Sequence, residues 1–240
     1  MKFAIFGDIH ANLDALQVCL EDMKKQGVTH HVCMGDIVGY NANPSECLEI
    51  IRELNCPVVR GNHDHYCGYN DDLSGFHPMA AAAVDWTRQQ LSEDQREYLR
   101  NLPFSRMVET FTIVHSTLDA PENWGYVFDK FDAEANFNYQ STNLCFFGHT
   151  HVPIIFEKSE KIRAGYYEKI KIKIGRKYFI NVGSVGQPRD GNPKCGYVIF
   201  DGMNNTVELR RLDYDIEAQQ KKIIAAGLPQ RLADRLAEGR

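Results

Sequence analysis

The sequence predicts an α/β fold with parallel strands, and two observations support this prediction. Short apolar runs of strand length alternate with amphipathic stretches through the first 150 residues. Five of these runs lead directly into polar residues that are able to bind a ligand. Strands that alternate with helices form parallel sheets, and ligands bind beyond the carboxyl ends of such strands.

Five apolar runs are predicted to be buried strands, because each is too short for a helix. These runs are Lys2–Phe6, residues 32–34, residues 57–59, Phe111–Val114 and Leu144–Phe147. Three predicted helices begin at residues suited to a helix N-terminus. Asn12 and the pair Ser92 and Gln95 supply capping side chains, and Pro44 fits the first helical turn. The helices span residues 12–25, residues 43–54 and a stretch that ends near residue 102.

The pattern changes after residue 151. Ile170, Ile172 and Ile174 alternate with lysines, which predicts a half-buried strand. Residues 177–182 form the next predicted strand, and residues 196–200 and 206–210 form a hairpin, so we expect a second, antiparallel sheet. Apolar residues recur at helical spacing from 216 to 236, with a break near 227–229. We therefore predict one domain over residues 1–240 with a helical C-terminal segment at about 214–240.

The composition is ordinary for a soluble globular protein and disfavours several classes. A formal net charge of −5 is not that of a general nucleic-acid binder, which would have a basic face. The seven cysteines include no Cys-x-x-Cys spacing, so we expect reduced thiols and no thiolate zinc site. Neither a signal-peptide pattern nor an apolar run of membrane length is found. We therefore expect a cytoplasmic protein without a membrane partner.

Each of the five strands runs into residues able to bind a metal ion. They comprise two carboxylates, one amide and four imidazoles: Asp8, His10, Asp36, Asn62, His115, His149 and His151. A single such residue is usually part of a turn or a core. Seven of them, each placed after a strand, are typical of a metal site at the carboxyl edge of an α/β sheet.

Seven nitrogen and oxygen donors exceed the needs of one tetrahedral ion. They suit two divalent cations that share a bridging carboxylate and lie roughly 3.5–4 Å apart. The absence of thiolates disfavours structural zinc and suits manganese, iron, zinc or a mixture of these. The sequence therefore predicts two divalent metal ions as cofactors.

The motifs that contain these residues resemble those of the calcineurin-like metallophosphoesterases. The resemblance rests on Gly7-Asp8-Ile9-His10, Gly35-Asp36, Gly61-Asn62-His63-Asp64, His115 and Gly148-His149-Thr150-His151. It implies a four-layer sandwich of two mixed β-sheets flanked by helices. It also implies that Asp8, His10 and His151 bind one metal, that Asn62, His115 and His149 bind the other, and that Asp36 bridges them.

Four further residues are candidates for roles toward a substrate. The resemblance implies that His63 faces the substrate, where it would protonate the leaving oxygen or donate a hydrogen bond to a phosphate oxygen. Asp64 is expected to orient an imidazole. Arg60 is a candidate phosphate clamp, with a surface ion pair as the alternative. Arg189 lies in a glycine-rich loop that would support the histidines after the fifth strand, and it is either a substrate-binding residue or a plain loop residue.

The segment from residue 124 to residue 139 is rich in aromatic residues. The favoured interpretation is a small cluster that packs its own loop. The alternative is a cap over the metals that stacks on a base or another flat group.

The function that the resemblance implies is hydrolysis of a phosphodiester or small phosphomonoester by attack of a metal-bridging hydroxide. The expected partner is a small phosphate-ester substrate, with a nucleotide as one candidate. The alternative is a catalytically inactive scaffold that binds a protein partner. After Gly35-Asp36, the chain lacks the Asp-Arg pair of protein serine/threonine phosphatases and symmetrical dinucleoside tetraphosphate hydrolases. It looks more like the small, general phosphoesterases of the family.

Overall fold

Two mixed β-sheets face each other in the centre of the molecule. The structure is a computed structural model that describes all residues from 1 to 240. The five-stranded sheet has the order β2 (His30–Cys33), β1 (Lys2–Phe6), β10 (Cys195–Asp201), β11 (Thr206–Leu212) and β8 (Lys169–Lys171). The six-stranded sheet has the order β3 (Ser105–Val108), β4 (Phe111–Val114), β5 (Leu144–Phe147), β9 (Lys177–Asn181), β6 (Ile155–Lys158) and β7 (Ile162–Gly165).

Parallel pairing is confined to the strands that precede the predicted site. β1 is parallel to β2, and β5 is parallel to both β4 and β9. The remaining neighbours are antiparallel, including the predicted hairpin of β10 and β11. Loops that follow the parallel strands of one sheet therefore begin at the same edge of that sheet.

Eight α-helices cover the sheets. They are α1 (Leu13–Lys25), α2 (Pro44–Glu53), α3 (Asn62–Gly68), α4 (Pro78–Gln90), α5 (Glu93–Arg100), α6 (Lys130–Tyr139), α7 (Ile216–Ala225) and α8 (Gln230–Glu238). The predicted caps are confirmed: Asn12 Oδ1 accepts a hydrogen bond from Ala15 N, and the Ser92 and Gln95 side chains form a capping box. No helix is long and apolar enough to cross a membrane.

Three apolar interfaces hold the four layers of the sandwich together. Between the sheets, Phe111 packs edge to face against Phe3 and Phe200, with ring centroids 5.2 and 5.6 Å apart. The outer face of the five-stranded sheet packs against a group of helices that includes α1 and α2. The outer face of the six-stranded sheet packs against α6 through the buried Phe137. The predicted four-layer sandwich of two mixed sheets is confirmed.

Two predicted strands are shorter than expected. Residues 57–59 form only an isolated bridge between Val58 and Cys33, because the chain turns into α3 three residues later. β8 ends at Lys171 because it pairs only with the first residues of β11, and Ile174 is 98% exposed. Alternation of isoleucine and lysine therefore continues past the end of this strand, and it does not mark burial there.

The C-terminal segment forms the predicted helix pair, α7 and α8. Lys222 on α7 forms an ion pair with Asp14 on α1, with Nζ 2.7 Å from Oδ2. Leu232 and Leu236 on α8 pack in one buried cluster with Ala83 on α4. These contacts place α8 beside the loop that follows β2, where Tyr40 packs against the same cluster.

Candidate metal centre

The seven predicted ligands lie in loops that follow the central strands. Asp8 and His10 follow β1, Asp36 follows β2, His115 follows β4, His149 and His151 follow β5, and Asn62 begins α3. The two carboxylates and four imidazoles belong to residues that are at most 5% exposed. The strand order thus brings distant parts of the sequence to one buried location.

The ligand atoms form two groups that share one carboxylate. Atoms of Asp8, His10, Asp36 and His151 lie within 4.8 Å of one another, and so do atoms of Asp36, His115 and His149. Asp36 Oδ2 lies 3.5 Å from His10 Nε2 and 3.4 Å from His115 Nε2. The buried Asn62 Oδ1 has no hydrogen-bond partner. Two cations bridged by Asp36 would use all of these atoms.

Backbone carbonyl groups orient all four histidine rings. A carbonyl oxygen only accepts, so the ring nitrogen beside it carries a proton and the other nitrogen is the one available to bind a metal. The pairs are His10 Nδ1 with Val38 O (3.1 Å), His115 Nδ1 with Met34 O (2.8 Å), His151 Nδ1 with Gln187 O (2.6 Å) and His149 Nε2 with Trp124 O (3.0 Å). Three rings therefore present Nε2 to the centre, and His149 presents Nδ1.

Lone pairs face one another at the centre. The Nε2 atoms of His10 and His151 are 3.1 Å apart, and Asp8 Oδ1 is 3.1 Å from His151 Nε2. Burial lowers the pKa of both imidazoles despite the nearby carboxylates, so these rings are neutral at pH 7. Nitrogen and oxygen atoms with free lone pairs repel one another at these distances unless a cation lies among them. This set of metal-binding atoms therefore fits a divalent metal.

His115 has a different electrostatic environment from the other three histidines. Burial opposes its positive charge, but the Asp36 carboxylate raises its pKa to about 9. For His149, burial and the neighbouring His115 lower the pKa to about 3. The Asp36 carboxylate thus attracts positive charge, which is the property that a bridging metal ligand needs.

The ligand residues adopt a strained backbone conformation. Asp8, His10, Asp36, His149 and His151 have φ angles from 47° to 65°. The left-handed conformation costs a non-glycine residue about 1–2 kcal/mol, and such strain is typical of functional sites. The glycine-rich loop after β9 holds these turns in place, since Ser184 Oγ donates to Asp8 O at 2.8 Å.

Two ligand carboxylates pack directly against glycine backbone. A Cβ atom at Gly61 would lie 2.1 Å from Asp36 Oδ1, and one at Gly148 would lie 2.4 Å from Asp8 Oδ2. Real Cβ contacts are essentially never shorter than 3.0 Å, so a side chain at either glycine would displace the carboxylate. This explains why glycine stands immediately before Asn62 and immediately before His149.

We expect Gly61→Ala to lose most of its metal-binding capacity, because the added methyl group displaces the Asp36 carboxylate. Elemental analysis after reconstitution with Mn²⁺ measures this loss. Gly75→Ala is the matched control, since a Cβ atom there meets nothing within 4 Å. Full metal content in a folded Gly61→Ala variant would contradict the assignment of Asp36 as a ligand.

His63 packs against both the candidate ligand His10 and Tyr40. Its ring centroid is 4.8 Å from that of His10 and 4.3 Å from that of Tyr40. It lines an open cleft of about 280 Å³ together with Asn62 and His149. Burial lowers the pKa of His63 to about 4, although Asp36 opposes the shift, so its imidazole is neutral at pH 7. His63 can therefore offer an N–H group to a ligand in the cleft.

Asp64 contacts backbone amides and not the imidazole that the sequence led us to expect. Its Oδ1 accepts a hydrogen bond from Ile37 N at 2.8 Å, and its Oδ2 accepts one from Gly61 N at 3.1 Å. Burial and the Asp36 charge raise the pKa of Asp64 to about 7. Asp64 thus joins the loop that carries Asp36 to the loop that carries Asn62.

Arg60 is also placed differently from expectation. Its Nη2 donates to the carbonyl oxygens of Arg100 and Leu102, and its guanidinium carbon lies 4.8 Å from the Phe104 ring centroid. The residue is 8% exposed, so it forms neither a phosphate clamp nor a surface ion pair. Arg60 stabilises the turn after α5 by donating to these two backbone carbonyl groups.

Arg189 lies beside His151 in the loop that follows β9. Its backbone N–H donates to His151 O at 3.3 Å, and its Nη2 donates to Gln187 Oε1 at 2.8 Å. The guanidinium carbon is 5.7 Å from the Tyr40 ring centroid. Tyr40 was not predicted as a site residue, although it stands where the Asp-Arg pair of related enzymes is missing.

The aromatic segment is divided between two environments. Phe137 packs in the buried layer under the six-stranded sheet, as the favoured interpretation requires. Tyr126, however, stacks on His149 with centroids 4.2 Å apart, and Phe128 stacks on Tyr126 at 5.5 Å. These two rings are 52% and 58% exposed. The beginning of the segment therefore forms a wall of the cleft, and the end of it packs its own helix.

Comparison with known proteins shows the family. The calcineurin-like phosphoesterase superfamily domain matches residues 1–205, and the chain belongs to this superfamily. The uncharacterized protein MJ0912 of Methanocaldococcus jannaschii is 40% identical over 242 residues, which cover 99% of this chain and 98% of the relative. Family and site together support a metal-dependent hydrolase of phosphate esters.

Solved structures agree with this result. A metallophosphoesterase from Sphaerobacter thermophilus superposes with a TM-score of 0.90 at 38% identity, covering 100% of this chain and 99% of the other. The hypothetical protein PH1004 from Pyrococcus horikoshii OT3 superposes with a TM-score of 0.82 at 22% identity, covering 100% and 98%. The second similarity supports the fold alone.

Proposed function

We propose that the chain is a dinuclear phosphoesterase that hydrolyses a phosphodiester or a small phosphomonoester. The observation that carries this proposal is the orientation of the four imidazoles. Each donates one N–H group outward to a backbone carbonyl and turns its other ring nitrogen toward two buried carboxylates. Two divalent cations would satisfy this convergence of metal-binding atoms.

The proposed ligand sets follow the two groups of atoms. Asp8, His10 and His151 hold one cation, Asn62, His115 and His149 hold the other, and Asp36 serves both. When bound, the two cations supply a water of lowered pKa as nucleophile and neutralise charge on the phosphate oxygens. The nitrogen and oxygen donors suit manganese, iron, zinc or a mixture of these.

Residues of the cleft would bind the substrate. His63 offers a neutral imidazole N–H to a phosphate oxygen, and Arg189 supplies a positive charge close to Tyr40, which lines the cleft. The exposed Tyr126 and Phe128 rings offer a flat apolar surface to the organic part of the ester. A nucleotide base is one group with the right shape for this surface.

Metal analysis combined with an assay tests this proposal. Protein reconstituted with Mn²⁺ should bind about two ions per chain and hydrolyse bis(p-nitrophenyl) phosphate or p-nitrophenyl phosphate. Removal of the metal with a chelator should abolish hydrolysis, and Mn²⁺ should restore it. Saturation at one ion would contradict the dinuclear site. Two bound ions without hydrolysis of any ester would favour the scaffold alternative.

A further inference from the structure

A second cavity, rich in arginine, lies beside the metal-site cleft. Its volume is about 290 Å³. Three of its eight lining residues are arginines, Arg231, Arg235 and Arg240, and none is acidic. In a chain with a formal net charge of −5, this is a local concentration of positive charge. A cavity of this kind favours an anionic ligand.

The arginine-rich cavity lies next to the cleft and shares part of its wall. Tyr40, His77 and Ala80 line both spaces. The Tyr40 ring centroid is 4.3 Å from the His63 ring centroid on the cleft side and 5.9 Å from Arg235 Cζ on the cavity side. A single aromatic ring therefore separates His63 from the Arg235 guanidinium. The Tyr40 side chain is the boundary that an elongated ligand would pass to reach both spaces.

Two guanidinium groups approach the same ring, and neither forms a direct ion pair with an aspartate or glutamate side chain. Arg189 Cζ and Arg235 Cζ lie 5.7 and 5.9 Å from the Tyr40 centroid. Arg189 donates to the neutral amide of Gln187, and Arg235 Nε donates to Arg240 O. Burial and the proximity of Arg189 lower the pKa of Arg235 to about 10. The two positive charges repel each other, and an anion between them would relieve this repulsion.

Arg231 shows what a purely structural arginine on the same helix looks like. Its Nη1 and Nη2 atoms donate to Glu238 Oε1 and Oε2 at 2.8 and 2.9 Å. Its charge is therefore balanced within α8. The charge of Arg235 is not balanced in this way, which distinguishes it from Arg231.

We propose that this cavity is a second anion subsite and that the substrate is a phosphate ester with a second phosphate group. Arg235, which lines the cavity, binds the second phosphate group, and the nearby charge of Arg189 adds to the attraction, while the scissile phosphate group lies at the metal centre. Arg231 and Arg235 belong to α8, beyond the residues 1–205 that match the family domain. The C-terminal helix pair thus determines specificity in a site that the family fold builds. This proposal rests on the proposed function, which supplies the scissile group.

Adenosine 3′,5′-bisphosphate and adenosine 5′-monophosphate form a matched pair of probes, since they differ by one phosphate group. We expect the Mn²⁺-reconstituted protein to show a lower KM for the bisphosphate, and this preference should decrease as salt is raised. Arg235→Gln should raise the KM for the bisphosphate by about tenfold or more, the usual effect of losing a hydrogen bond to a charged group. It should leave kcat and the KM for the monophosphate unchanged.

Two further variants separate charge from structure. Arg235→Lys should retain part of the preference, and Arg106→Gln, which removes an exposed arginine on β3, should retain all of it. A wild-type protein without any preference for the bisphosphate would overturn the proposal. Equal changes in KM for both nucleotides in Arg235→Gln would also overturn it.

Binding to metal-free protein separates this proposal from the proposed function. Calorimetric titration of chelator-treated protein with the bisphosphate measures the subsite without any hydrolysis. If no ester is hydrolysed but Arg235→Gln still weakens this binding about tenfold, the proposed function fails and the anion subsite stands. Equal binding by the wild type and Arg235→Gln overturns the subsite alone.

Discussion

Asp36→Asn should lose both metal ions and lower kcat/KM by about 10⁴-fold, the scale of effect seen when one member of a catalytic unit is removed. The reason is geometric, because Asp36 Oδ2 lies within 3.5 Å of imidazole nitrogens from both ligand groups. Asparagine keeps the volume of the side chain and removes the charge that serves two cations. Elemental analysis and steady-state kinetics of the same preparation measure the two effects.

His10→Ala gives the comparison that makes this test specific. His10 belongs to only one ligand group, so its removal leaves the group of Asp36, His115 and His149 complete. We expect it to lose mainly one ion. Asp119→Asn removes an exposed carboxylate that belongs to neither ligand group and should behave as the wild type. Loss of one and the same ion in Asp36→Asn and His10→Ala would contradict the bridging role.

The convergence of the candidate ligands could be predicted because it depends on a simple rule of the fold. Asp8, Asp36 and His149 each follow a short apolar run, and such runs form the central parallel strands. Polar residues immediately after these strands have no place in the core, so they gather at the carboxyl edge. Local sequence and global topology agree here, and the predicted fold is confirmed with them.

Other features depend on contacts that no local pattern encodes. Residues 57–59 are apolar, but only the bridge at Val58 forms, because the following residues are required for a ligand loop and for α3. Arg60 points toward the turn after α5, whose free carbonyl groups become visible only when the helices are packed. The role of a charged residue next to a motif is thus decided by its tertiary partners.

The same reasoning explains why no residue that lines the arginine-rich cavity was predicted as a site residue. Tyr40 and Arg235 are almost 200 residues apart in the sequence, and they meet only because α8 packs against α4. Trp124 contributes a backbone carbonyl group to His149, and any residue type could do so. Metal-binding side chains can be recognised in a sequence by residue type and spacing. Tyr40, Arg235 and Trp124 cannot be recognised in this way, because their roles depend on where the fold places them.

His63→Ala should lower kcat/KM by about 10²–10³-fold for every ester, the effect of removing one hydrogen-bond donor to a developing negative charge. Its ring lies beside the metal centre but in neither ligand group, and its low pKa of about 4 leaves it a neutral N–H donor at pH 7. A donor to a non-bridging phosphate oxygen acts equally on good and poor leaving groups. The metal content should therefore remain at the wild-type level.

The dependence of kcat/KM on the pKa of the leaving group tests this role. A series from p-nitrophenyl to alkyl phosphates should give parallel lines for the wild type and His63→Ala, and His63→Gln, which keeps an N–H donor, should lie between them. His30→Ala, on the exposed end of β2, is the matched control. A steeper line for His63→Ala would show that His63 protonates the leaving oxygen, because only poor leaving groups need that proton. Loss of metal would instead make His63 a ligand, and the two ligand sets would then have to be reassigned.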